Sequence, residues 1–249
     1  MSINRVEGRD CVSIIKTHDI KLYGGNDTCK IVLRPLSDDD LQLLYKWNSD
    51  PEVLYWTEGD DVESYPAETV HQIYGGISQN NPCFAVEVNG ETIGDCWLQK
   101  MNLPEVKAMY DSDTDVRRID MSIGEKAYWG KGIGTLFIGM LVKYAFECEQ
   151  VDVLHCFCED YNIRSRRVWE KNGFTLILTE EIPQPHKGKF QYHWRLTRDE
   201  YIKNRSGKSG LVIAFGKADE ERKARTEDVL AISECLIQQD KEAYQVLVE

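Results

Sequence analysis

Cationic residues are in short supply in this chain: 30 lysines and arginines stand against 42 aspartates and glutamates, leaving a net charge of −12. That shortage argues against nucleic acid as a partner, which calls for a basic stripe, and it favours a cationic one. Long hydrophobic runs are missing too. No stretch reaches the length of a bilayer span and the N-terminus shows no apolar signal segment, so the expected setting is the cytoplasm, without a membrane partner. Histidine is scarce, with five residues far apart, and the eight cysteines are scattered. The one close pair, Cys156 and Cys158, falls on one face of a strand rather than in a Cys-x-x-Cys knuckle. No metal site is expected, and the pair reads as two small core residues in a reducing compartment. What is present is ordinary: 42% hydrophobic and 29% charged residues over 249 positions suit a globular protein of one domain with appendages, or one and a half.

Glycine is unevenly placed. Tyr128-Trp129-Gly130-Lys131-Gly132-Ile133-Gly134 puts three glycines at alternate positions between a strand-like run, Val116 to Gly124, and a long apolar helical run, Thr135 to Cys148. Such a backbone approaches a ligand closely, and a helix starting there turns unpaired N–H groups and the positive end of its dipole toward the loop. That describes either an anion site, most naturally for a diphosphate, or an ordinary glycine-rich turn. The Rossmann spacing is absent, and no Gly-Lys-Ser/Thr follows for a Walker loop.

Around this loop the chain reads as alternating strands and helices. Cys29 to Pro35 is a first strand, and Ser37 caps a helix that carries Asp38, Asp39 and Asp40 in its first turn. Pro51 to Tyr65 reads as irregular. Its Trp56, Glu58, Asp60 and Asp61 form either a solvated loop or a substrate wall, with an aromatic face and carboxylates for ammonium groups. A helix is expected over Pro66 to Ser78, and a hairpin from Phe84 to Val88 and Glu91 to Met101 around Asn89-Gly90, which suits a type I′ turn.

In Val116 to Gly124, Arg118, Asp120 and Ser122 share one face. Asp120 either pairs with Arg117 or Arg118 or serves the site beside it. Val151 to Cys158 is the next strand, Asn162 caps the following helix, and Thr175 to Ile182 with Phe190 to Leu196 make a last hairpin. Outside these elements lie a strand candidate at Cys11 to Ile15, a turn at Gly24 to Asp27, a polar linker at Asn204 to Gly210, a strand at Leu211 to Phe215 and a helix from Thr226 to Gln239.

One helix and one strand beyond the glycine loop, Asn162-Ile163-Arg164-Ser165 leads into Glu170-Lys171-Asn172-Gly173-Phe174. Together the two motifs resemble the GNAT acyl-CoA N-acetyltransferase superfamily, which carries Gln/Arg-x-x-Gly-x-Gly/Ala after its fourth strand and an Asn-x-x-Ser/Ala helix ending in Glu-Lys-x-Gly-Phe. Gly132 and Gly134 fill the glycine positions, and Trp129 replaces the Gln/Arg. The resemblance spans roughly residues 30 to 198, so 1–29 is expected to be an N-terminal addition and 199–249 a C-terminal extension with a short strand and helix.

The resemblance implies an α/β (α+β) fold: a mixed, largely antiparallel central sheet flanked by helices and splayed between the fourth and fifth core strands, Val116 to Gly124 and Val151 to Cys158. Acetyl-CoA, as co-substrate, would enter that wedge. Its pantetheine would pair with the backbone of Met121, Ser122 and Ile123, and its diphosphate would lie on Trp129, Gly130, Lys131, Gly132, Ile133, Gly134 and Thr135, with Asn162 and Ser165 completing the site.

Within the superfamily the chain is similar to aminoglycoside 6′-N-acetyltransferases, through Ile119-Asp120-Met121-Ser122 and the stretch from Trp56 to Asp61. That likeness implies N-acetylation of a cationic small-molecule amine, with Asp120 as base or as the group that positions the amine, and with Trp56, Glu58, Asp60 and Asp61 holding the acceptor. A ribosomal-protein-type N-terminal acetyltransferase, a polyamine acetyltransferase and a non-catalytic acyl-CoA sensor remain open, as does a homodimer through the tail. Trp169 departs from the family pattern. A Tyr that protonates the departing thiolate is common there, and indole cannot do this, so the proton comes either from solvent or from another hydroxyl such as Tyr161, and the general acid is unassigned.

Overall fold

Alternating burial along the strands places helices on both faces of one sheet. The computed structural model describes residues 13–26, 28–59, 62–205 and 214–216. Its strands are β1 (Lys21–Asn26), β2 (Cys29–Pro35), β3 (Cys83–Val88), β4 (Glu91–Lys100), β5 (Val116–Ile123), β6 (Val153–Glu159), β7 (Thr175–Glu181), β8 (Phe190–Thr197) and β9 (Ala214–Gly216). They lie in the order β7-β8-β6-β5-β4-β3-β2-β1-β9. Every neighbouring pair is antiparallel except β5 and β6.

That exception decides the architecture. β5 and β6 are in register only at Val116↔Val153 and Arg117↔Leu154. Beyond those residues the ladder stops, and the sheet opens between the fourth and fifth strands counted from Cys29, as expected.

The helices are α1 (Leu41–Asn48), α2 (Pro51–Thr57), α3 (Ala67–Ser78), α4 (Pro104–Lys107), α5 (Ile133–Glu147), α6 (Ile163–Lys171) and α7 (Arg198–Arg205). On one face Phe84, Val86 and Val88 of β3 join Phe137, Met140 and Leu141 of α5 in a core that also takes in Leu154 of β6 and Trp194 of β8. On the other face Cys83 and Ala85 of the same strand meet Leu44 and Trp47 of α1 and Val70 and Tyr74 of α3. This is the period-two division of a strand between two layers. Asn89 (φ 53°) and Gly90 (φ 87°) both take positive φ, which gives the expected type I′ turn between β3 and β4. Among the described residues no helix is long and apolar enough to cross a membrane.

Some expectations are corrected. Pro51 to Tyr65 is not irregular throughout: it opens with α2, because the Asp50 side chain accepts from the Glu52 N–H (2.9 Å) as an N-cap and Pro51 fills the first helical position. The glycines at 24 and 25 belong to β1 rather than to a turn, and Asp27 lies outside the described residues. Ser13 to Ile15 forms no strand; the Ile14 and Ile15 N–H groups bond the Asp38 carboxylate at 3.1 and 2.8 Å.

After β8 the chain forms α7 where a tail was expected. Thr197 and Glu200 make a reciprocal capping box, Glu200 N–H to Thr197 Oγ1 at 3.2 Å and Thr197 N–H to Glu200 Oε2 at 2.8 Å. Of the strand expected at Leu211 to Phe215, residues 211–213 lie outside the described residues, while Ala214–Gly216 forms β9 and pairs with β1 through Leu22↔Phe215. The helix expected from Thr226 to Gln239 lies outside the described residues.

Candidate active site

The glycine loop feeds directly into α5. Gly132 is its N-cap with φ 79°, and Gly130 has φ 73°. A Cβ on either would meet no atom within 4 Å, so both positions face open space. The helix ladder starts with Thr135 and Leu136, whose N–H groups donate to Gly132 O at 3.1 and 3.3 Å. The preceding N–H groups of Ile133 and Gly134 have no carbonyl one turn back to accept them and stand available to an anion. Gly134 has a different reason to be glycine: a Cβ there would meet Met121 Cε at 3.2 Å and Val168 Cγ2 at 3.4 Å, so its small size brings α5 close to β5 and α6.

Trp129 fastens the loop to the strand before it, its Nε1–H donating to Ile123 O at 2.6 Å. Its ring carries the Arg164 guanidinium at 4.6 Å, and the same guanidinium lies 4.4 Å from the Trp56 ring. A cation is thus returned, from α6, to the place where indole has replaced Gln/Arg. Lys131 lies on the exposed side, its Nζ 5.5 Å from the Tyr128 ring. Asn162 caps α6 by accepting from Ser165 N–H (3.0 Å) and donates to Trp56 O (2.7 Å), which ties α6 to α2. Met121, Ser122 and Ile123 pair with Cys96, Asp95 and Gly94 of β4. Their other edge has no β6 partner, so it is open to an extended ligand.

A cavity of about 360 Å³ adjoins the wedge, with Trp56, Glu58, Asp95, Trp97, Asp120 and Tyr161 in its wall. Asp120 makes a two-point ion pair with Arg118, both contacts at 2.6 Å. Both readings of Asp120 therefore have substance, since the residue is paired and also lines the cavity. Burial raises the Glu58 carboxyl above its ordinary pKa and the Asp120 charge adds to this, while a hydrogen bond from Tyr65 works against it. Asp60 and Asp61 lie outside the described residues.

Two wall residues were not foreseen as site groups. Asp95, 1% exposed, accepts from the Tyr74 hydroxyl on Oδ2 (3.3 Å) and has no partner on Oδ1. Burial, first of all, pushes its pKa up to about 7, and the charge of Asp120 acts in the same direction. The sequence signal was slight: one acid among Ile93, Gly94, Cys96 and Leu98 in a strand that the sheet later buries. Trp97 contributes an indole Nε1 that also lacks a partner. Trp169, at the position of the common Tyr, is 2% exposed, and its unpartnered Nε1 sits in the same wall. That group can donate a hydrogen bond but not a proton.

Residues 30–175, more than half of the chain, match the GNAT acetyltransferase domain family. Aminoglycoside N(6′)-acetyltransferase type 1 of Klebsiella pneumoniae is 27% identical over 163 residues, which cover 64% of this chain and 80% of that protein. Among solved structures, aminoglycoside acetyltransferase AAC(6′)-Ib in complex with coenzyme A superposes with a TM-score of 0.57 at 23% identity, covering 70% of this chain and 99% of that one. Spermidine N-acetyltransferase from Vibrio cholerae, in complex with CoA and spermine, gives 0.56 at 16% identity, covering 71% and 99%. At those identities the structural likeness is one of fold. Membership rests on the match over residues 30–175: the chain belongs to the GNAT acetyltransferase family.

Proposed function

We propose that the protein transfers the acetyl group of acetyl-CoA to a primary amine of a cationic small molecule of the aminoglycoside type, with residues 30–198 as the catalytic unit. The observation that carries this reading is the cavity beside the open sheet. Its wall holds the carboxylates of Glu58, Asp95 and Asp120, and Arg118, which also lines it, is bound to Asp120. Such a wall draws in ammonium groups and gives them acceptors. Similarity to an aminoglycoside N(6′)-acetyltransferase over 163 residues supports the acceptor class.

In this reading the diphosphate of acetyl-CoA lies on Gly130 to Thr135 and the thioester arm runs along the free edge of β5, which delivers the acetyl group to the cavity. Asp120 orients the amine, each of its oxygens having a lone pair left beside the Arg118 contact. The amine nitrogen, once deprotonated, attacks the thioester carbonyl, the C–S bond breaks, and the thiolate is protonated from solvent. Trp56, in the last turn of α2, is the outer wall for the rest of the acceptor, and Asp60 and Asp61, a few residues on in sequence, take its further ammonium groups.

A thiol-release assay with acetyl-CoA and a panel of aminoglycosides, polyamines and peptide amines tests the proposal. Turnover of aminoglycosides is expected, with an apparent KM that rises with salt because exposed charge pairs are screened over about 8 Å at physiological ionic strength. Turnover confined to peptide N-termini, or CoA binding without thiol release, overturns it. A preference for linear polyamines moves the acceptor to the class named for the Vibrio cholerae neighbour.

A further inference from the structure

We propose that Asp95 takes up the proton that the acceptor ammonium must lose before it attacks, leaving Asp120 to orient the amine; this rests on the acetyl-transfer reading above. A buried carboxylate is costly to ionise unless it is paired, and nearly all buried polar atoms in folded proteins have partners. Asp95 breaks that rule at the wall of the cavity, with Oδ1 unpartnered.

The titratable and charged groups that face Asp95 supply no counter-charge. They are the Tyr74 hydroxyl from α3, the Cys83 thiol from β3, Cys96 on its own strand, Asp120 from β5, and Asp40 ahead of α1, which is itself bound to Arg34 at 2.7 Å. From α1, the Asn48 amide is directed to the Tyr74 hydroxyl at 3.3 Å. The nearby cation Arg118 is held by both oxygens of Asp120. A carboxyl kept in such surroundings is one whose protonation state is free to change.

Its position fits the task. In the β4–β5 register Asp95 stands opposite Ser122 and Trp97 opposite Asp120. Asp95 and Asp120 therefore lie diagonally on one face of the sheet, a relation that separates side chains by roughly 7–8 Å. An ammonium held at Asp120 is within reach of Asp95 directly or through one water, the usual range for a general base. Asp120 is the poorer choice, because a proton taken there displaces a two-point ion pair.

The proton balance closes. The ammonium gives one proton to the Asp95 carboxylate and becomes a neutral amine, whose lone pair forms the C–N bond. As C–S breaks, one of the two remaining N–H protons is lost to solvent, the other stays on the amide nitrogen, and the thiolate gains a proton from solvent. Asp95 returns its proton to solvent after the amide leaves.

The test uses the full chain and the amine that the wild type turns over. Asp95→Asn keeps shape and removes the ionisable group that accepts the proton. At pH 8 its kcat/KM is expected to fall by at least about tenfold, the cautious end of the contribution of positioned proton transfer. The pH profile of wild-type kcat/KM should carry an ionisation near 7 that the Asp95→Asn profile lacks. Asp120→Asn, which removes a negative neighbour, should move that inflection to lower pH. Tyr74→Phe, which removes the donor to Oδ2, should move it to higher pH, and this variant serves if Asp95→Asn does not fold.

A wild-type profile without that ionisation, or variant turnover within about twofold of wild type, overturns the assignment. So does a loss of melting temperature that accounts for the lost activity with no change in the pH profile. If the wild type acetylates no amine, the acetyl-transfer reading falls instead. Infrared difference spectra of wild type against Asp95→Asn still decide the local claim, since a protonated carboxyl band should appear as pH drops through neutrality, and its absence rejects the proposal.

Discussion

The two sides of the wedge are built by opposite means. On the α5 side the proposed ligand surface is backbone, contiguous from Gly130 to Thr135, and two of its glycines face open space. On the other side it is made of side chains from four separate elements or their ends: Trp56 and Glu58 from α2, Tyr74 from α3, Asp95 and Trp97 from β4, and Asp120 from β5. Backbone N–H groups recognise a phosphate whatever the neighbouring side chains become, whereas a wall of side chains can be rewritten residue by residue. One side therefore suits the invariant half of a two-substrate reaction and the other the half that distinguishes relatives.

The strongest way to break this comparison is at Gly132. Gly132→Asp puts a carboxylate into the space proposed for a diphosphate and asks a non-glycine residue for φ 79°. CoA affinity measured by calorimetry should fall at least about a hundredfold, equivalent to about 2.8 kcal/mol, with the fold retained. Unchanged affinity would remove the cradle. Gly134→Asp makes a poorer probe than the motif suggests, because it drives side-chain atoms into Met121 and Val168.

Next in size, Asp120→Asn should cost kcat/KM for the amine at least about tenfold while leaving CoA affinity within error. A normal kcat/KM in a protein of lower melting temperature would return Asp120 to its ion pair with Arg118. The smallest effect is on stability. The Asp95 carboxyl is raised in the folded state, so the native protein binds this proton more tightly than the unfolded chain does, and stability declines as pH climbs from about 4 to about 7. Asp95→Asn lacks that decline. Its melting temperature relative to wild type should rise between pH 5 and pH 8, at about 2–4 °C per kcal/mol for a chain of this size. A constant difference contradicts the raised pKa.

Legibility in the sequence follows the same division. The hairpin at Asn89-Gly90, the helix after the glycine loop and the cap at Asn162 are local devices, written in adjacent residues; the hairpin and the cap lie where the sequence puts them, and the helix opens at Ile133, two residues before the expected Thr135. Two helix starts were just as local and went unread: Asp50-Pro51, hidden by the aromatic and acidic residues that follow, and Thr197 to Glu200, hidden by the expectation of a tail. Asp95 was out of reach for another reason. Nothing beside it in the chain reports that α1 and α3 will cover β4 and take away its solvent. Arg164 is similar: Trp129 announces a missing polar side chain, but the guanidinium that lies on it comes from α6, a relation only the tertiary fold creates. Gly134 shows the limit of motif reading, since a glycine that matches a ligand-binding pattern is required there by helix packing.

The two pairs of residues that join β5 to β6 make the sheet a laminate with a crack in it. Tension along one half passes to the other through Val116, Arg117 and the apolar bed of α5 rather than through a continuous ladder. If the thioester arm lies along β5 as proposed, its amides close the crack from within and act as the strand that the chain omits. Amide hydrogens on the open edge of β5 should then exchange quickly in the free protein and slowly once the thioester arm is seated, so that co-substrate binding registers as a stiffening of the whole sheet.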